Sequence, residues 1–81
     1  MDIVGKPVST IDTPALLLDV VKVERNITKM ASFFDKRNST LRPHFKTHKT
    51  PVISHLQLEA GAKGITCQKL GEAEVLANSG I

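Results

Sequence analysis

The sequence predicts an α/β fold, the first three strand-helix units of a parallel (β/α)8 TIM barrel, incomplete within 81 residues. Three observations predict it. Short apolar runs open near Ala15, Leu41 and Gly64, a recurrence of roughly 25 residues that matches one strand, one helix and their loops. Each run leads into a stretch whose apolar residues return every three or four positions, the period of an amphipathic helix. Stop signals then close each stretch: Asn38 and Ser39, Gly61, and Gly80.

The elements follow in order. "TPALLLD", Thr13 to Asp19, is apolar on both faces, as a central strand of a covered parallel sheet must be. Asp19 is placed to cap a helix whose inward stripe is Val20, Val23, Ile27, Met30 and Phe34. "TLRPHFK", Thr40 to Lys46, reads as the second strand, and Thr50 and Pro51 as N-cap and first residue of a helix with Ile53, Leu56 and Ala60 inward. "KGITCQ" is the third strand and "LGEAEVLANS" the third helix. Three parallel strands leave unpaired edges, whereas a closed barrel takes about 250 residues. Residues 1–81 are therefore expected to be the N-terminal fragment of a larger barrel domain, completed by further sequence or by other chains.

Composition narrows the function. A single cysteine, Cys67, excludes an internal disulfide and points to a reducing, cytoplasmic setting. The N-terminal "MDIVGKPVST" lacks the basic-then-apolar order of a secretory signal, and no apolar run reaches membrane-spanning length. The net charge of +3 comes from cations scattered among acids, so it marks no polyanion-binding patch. With no Trp, no Tyr and three Phe, the chain lacks the stacking platforms of a nucleic-acid binder. A small anionic ligand suits it better.

The unusual stretch is "LRPHFKTHKTP", Leu41 to Pro51, which crowds Arg42, His44, Lys46, His48 and Lys49. Strand alternation sends Arg42, His44 and Lys46 to one face and Leu41, Pro43 and Phe45 to the other. The apolar set belongs under the helices; the polar set then faces the barrel interior, with Lys46 at the C-terminal end, where barrel enzymes place reactive groups. Burial and neighbouring cations would free the amine of such a lysine for Schiff-base chemistry with an aldehyde. The competing reading is a lysine snorkelling from an edge strand, with both histidines exposed. Spacing does not choose between them.

Three motifs in order, "TPALLLD", "RPHFKTHKTP" and "GITCQKLGEAEVLANSGI", resemble the N-terminal, alanine-racemase-like barrel of the fold type III pyridoxal-phosphate enzymes, in the D-threonine aldolase and D-serine dehydratase group. The resemblance implies that Lys46, the first lysine of "KTHK", carries pyridoxal 5'-phosphate as a Schiff base. It implies a lyase of D-amino acids, expected to be D-threonine aldolase, releasing glycine and acetaldehyde; D-serine dehydratase and a non-catalytic pyridoxal-phosphate-binding barrel are the alternatives. It also implies a homodimer, and a divalent metal whose ligands lie in a C-terminal domain. A third class, a basic fragment binding an anionic partner through "KTHK", needs no cofactor.

The remaining positions divide between site and scaffold. His44 and Gln68, on the faces of Lys46 and Thr66, are candidate cofactor-binding residues. Arg42 reads as a structural ion-pair partner, His48 and Lys49 as a solvated loop at the mouth. No metal site is expected here, because His44 and His48 on a strand stand more than about 10 Å apart. Cys67 reads as a small buried hydrophobe, and Glu72 as a structural acid at a helix N-terminus.

Overall fold

The computed structural model describes residues 3–81; the first two residues of the N-terminal stretch discussed above lie outside them. Among the described residues three α-helices form where the periodicity placed them: α1 (Val20–Phe34), α2 (Pro51–Glu59) and α3 (Leu70–Asn78), after one 3-10 turn at Val8–Thr10. Their ends are decided locally. Asp19 caps α1, its side chain accepting the Lys22 amide at 3.1 Å. At the other end Arg37 donates to the Phe33 carbonyl and lies over the Phe33 ring, 3.9 Å from its centroid. Helices α2 and α3 close with the same device. Gly61 donates to Leu58 O and Ala62 to Gln57 O; Gly80 donates to Ala77 O and Ile81 to Leu76 O. Both patterns are Schellman motifs, and both glycines have the positive φ, 120° and 85°, that the motif requires.

The expected strands do not form as a sheet. Among the described residues the only pairing is one parallel bridge between His44 and Thr66. It is built by Phe45 N–H to Thr66 O (2.9 Å) and Thr66 N–H to Pro43 O (2.8 Å). The parallel ladder would continue towards the N-terminus through the amide of residue 43, which proline lacks. The pairing slips there, and Lys63 N–H bonds Leu41 O at 3.0 Å instead. In the other direction the chain turns at Lys46–His48. The stretch Ala15–Leu18 is irregular and exposed, with Leu16 at 93%. A segment apolar on both faces becomes a strand only when neighbours pair and cover it, and no described segment does so.

Packing is correspondingly thin. Phe45 (2% exposed), Leu76 (3%) and Ile53 (8%) are the buried hydrophobic residues among those described, joined by Ser54 of α2. They place the core where the bridged segments meet α2 and α3. A hydrogen bond of 2.8 Å from His55 Nε2 to Ser79 O ties α2 to the end of α3; the carbonyl only accepts, so this nitrogen carries the proton. Helix α1 leans on α2. Its half-buried positions are Val23, Ile27, Ala31 and Phe34, while Val20 and Met30 of the predicted stripe are exposed. On α2, Ile53 and Leu56 turn inward as expected, and Ala60 is exposed.

Candidate active site

The histidine-rich stretch folds into a tight turn between the parallel bridge and α2. Alternation holds up to Phe45, whose ring is buried while Arg42 is exposed. Lys46, predicted to end the strand, instead opens the turn at Lys46–His48. The amide of Lys49 returns to Phe45 O at 2.9 Å, closing one helical-sized loop. Lys49 takes a left-handed φ of 50°, a conformation that costs a non-glycine residue about 1 kcal/mol and that the surrounding bonds must hold. Thr50 then caps α2 by position, with Pro51 as first helical residue, yet its hydroxyl donates back to His48 O at 2.8 Å. The turn and the helix are thus one hydrogen-bonded unit.

Both histidines serve the backbone in the same way. His44 Nδ1 accepts the Lys46 amide at 3.1 Å, and His48 Nδ1 accepts the Thr50 amide at 3.0 Å. An accepting Nδ1 leaves the proton of a neutral imidazole on Nε2. His48 is half-buried, its ring edge-on to Phe45 with centroids 5.5 Å apart. It was expected in a solvated loop; the aromatic contact and the Thr50 bond draw it inward. Its Nε2 and Gln57 Oε1 are both shut off from solvent and short of full hydrogen-bond geometry. The two side chains interact nonetheless, as a loose donor and acceptor. Burial lowers the His48 pKa from the ordinary 6.5, and the Gln57 contact opposes the shift only in part.

The predicted site residues lie at the bridge or two residues beyond it along the chain. His44 pairs with Thr66, so Lys46 and Gln68 each follow two residues beyond that pair. Lys46 and Gln68 are exposed and His44 is half-buried. The Lys46 Nζ has no hydrogen-bond or ion-pair partner among the described residues. The burial expected to free its amine is not supplied by these residues. Arg42 lies across Gly64, so close that a Cβ there would collide with the guanidinium, and Thr66 Oγ1 donates to Arg42 O at 3.0 Å. Glu72, in the first turn of α3, accepts the Gln68 amide at 3.2 Å, the structural part expected of it. Cys67 is half-buried and free. Among the described residues no three His, Cys, Asp or Glu side chains converge as a metal ion would need. Among the described residues no helix is long and apolar enough to cross a membrane.

Thr50 stands at the N-cap where the sequence placed it, but sequence reading missed the parts played by His48 and Gln57. The signal was present, since His44 and His48 each stand two residues before the amide they bind, but the strand reading of His44 and the solvated-loop reading of His48 hid it.

No family model matches the chain. Its backbone superposes on a solved D-threonine aldolase from Filomicrobium marinum with a TM-score of 0.82 and 51% identity, over 88% of this chain and 19% of that one. Over that shared length the chain is similar to the D-threonine aldolase group that its motifs resemble. In sequence it is 44% identical over 77 residues to the D-threonine aldolase of an Arthrobacter species, covering 95% of this chain and 20% of the relative. It is 45% identical over 65 residues to the D-threo-3-hydroxyaspartate dehydratase of a Delftia species, covering 80% of this chain and 17% of the relative. The chain spans about one fifth of the length of the relatives it matches.

The donor set fits a cofactor that is held through an aldehyde. Lys46 offers an exposed, unpartnered primary amine two residues beyond His44, which pairs in a parallel bridge with Thr66. A compact, cation-rich turn of this kind suits an anionic aldehyde.

Proposed function

We propose that the protein containing these residues is a pyridoxal-phosphate-dependent lyase of D-amino acids, with D-threonine cleaved to glycine and acetaldehyde. The observation that carries the reading is the lysine-bearing turn, set at the end of a parallel pair in a chain 51% identical to a solved D-threonine aldolase over their shared length. Residues 1–81 would form the first strand-helix units of its barrel. The segments at Ala15–Leu18, Leu41–Phe45 and Lys63–Gln68 would become strands once neighbours pair with them. A cytoplasmic homodimer is part of the same proposal, as is a divalent metal held by residues outside this chain.

Lys46 would hold the cofactor through Nζ, with His44 and Gln68 beside it. Pyridoxal phosphate, when bound, supplies an electron sink for negative charge developing at the substrate's α-carbon. The chain's own residues do the rest available to them. Lys46 Nζ, a primary amine beside the bound substrate, would also be placed to take or return a proton. His44, bonded to the Lys46 amide through Nδ1, orients the backbone from which that amine projects.

The test is attachment and turnover in the intact protein. Borohydride should fix the cofactor to Lys46, as mapped by mass spectrometry, and D-threonine should yield glycine. Lys46→Ala should lower turnover by about a thousandfold or more. A fully active Lys46→Ala protein would defeat the reading. The similarity to D-threo-3-hydroxyaspartate dehydratase favours a second reading, β-elimination from a D-3-hydroxy amino acid such as D-serine, whose product is a keto acid and ammonia rather than glycine.

A further inference from the structure

We propose that His48 is the positioning residue for Lys46: as the neutral Nε2–H tautomer, bonded to Thr50 and facing Gln57, it clamps the turn that presents the lysine. The inference rests on the functional reading above and deepens it.

Lys46 and Thr47 are exposed and touch little, so their placement depends on the residues either side. Phe45 anchors the near end by burial. The far end is held by His48, through the edge-on contact with Phe45 and the bond from the Thr50 amide. The two anchors also touch one another, so the turn is a closed clasp with the lysine on its outer edge. The left-handed Lys49 needs such a clasp, because an L side chain relaxes out of that conformation when released. Gln57 completes it. With Nδ1 engaged by Thr50, the one remaining imidazole proton sits on Nε2, whose shielded neighbour is the Gln57 oxygen. Gln57 of α2 lies on that side of the ring, and burial favours the neutral ring that the Thr50 bond demands.

The test is cofactor attachment in the intact protein, using pyridoxal phosphate followed by borohydride, with modified lysines counted by mass spectrometry. His48→Ala should slow attachment at Lys46 about tenfold and spread the label to Lys49, because the amine is no longer presented in one place. His48→Asn should stay within about twofold of the parent, since Oδ1 of asparagine takes the place of Nδ1 in accepting the Thr50 amide. Attachment to His48→Ala at the parental rate and selectivity would overturn the clamp while leaving the functional reading intact. No label on Lys46 in the parent protein would overturn both. If His48→Ala fails to fold, nitrogen-15 spectra of the parent decide: an unprotonated Nδ1 with a protonated Nε2 supports the clamp, and a protonated Nδ1 overturns it.

Discussion

At the scale of single residues, the chemistry of this chain is organised by imidazole nitrogens acting as backbone acceptors. His44 and His48 each bind the amide two residues ahead, the part more often taken by asparagine or aspartate in turns. An acceptor nitrogen cannot also be protonated, which gives the turn a pH dependence of fixed sign. The His48 pKa lies below 6.5 because burial opposes its charged form. Its packed neighbours Phe45, Thr50 and Gln57 are neutral and offer a cation no compensating charge. Below 6.5 the unfolded chain therefore binds a proton that the folded chain refuses. The contribution of His48 to stability is complete above 6.5 and is lost as pH falls through the folded pKa. Urea titrations of the intact protein above and below that pH should show it, and His48→Asn should flatten the difference. An equal loss in both proteins would refute the assignment to His48.

At the scale of elements, helices and their ends were legible because what makes them is local. Asp19 finds its acceptor geometry three residues away, and Gly61 and Gly80 close their own helices. A paired substitution tests the glycine argument. A Cβ would meet nothing within 4 Å at either Gly61 or Gly71, but only Gly61 has a positive φ. Gly61→Ala should therefore cost about 1–2 kcal/mol, and Gly71→Ala, within α3, should gain about 0.5 kcal/mol. Urea denaturation of the intact protein measures both, and effects of the same sign would refute the conformational account. Strands were not legible in this way. "TLRPHFK" has the alternation of a strand, yet Pro43 withholds the amide that the ladder needs and Lys46 turns away after one bridge. The reading of His48 as a solvated loop residue failed for another reason: its contacts with the Phe45 ring and the Thr50 amide draw it inward.

At the scale of the whole molecule, the structure is open. Its radius of gyration is 14.8 Å, with extents of 47 × 29 × 19 Å, against about 12 Å for a compact chain of this length. Leu16, Leu17, Leu18, Val20, Val21, Met30 and Phe33 all face solvent. Burying one such side chain is worth about 1.5–3 kcal/mol, so much of the stabilisation the sequence encodes is not realised among these residues. A polypeptide of residues 1–81 alone should bind a hydrophobic dye strongly and melt without a sharp transition. A cooperative transition without dye binding would show that the exposed face needs no cover. The same openness explains the exposure of Lys46. Desolvating a lysine takes walls on several sides, and the turn supplies only one.

By itself the sequence determined the three helices, the N-caps of the first two, the glycine stops of the last two, and the order of motifs that resembles the D-threonine aldolase group. These depend on contacts within a few residues, or on side-chain identities read directly. Only the tertiary structure decided that the strand carrying Lys46 ends at a single bridge, that His48 packs inward against Phe45 and Gln57, and that the lysine stands exposed. Pairing and burial belong to two segments at once, and one segment's pattern cannot say whether its partner has an amide to give or a surface to cover it.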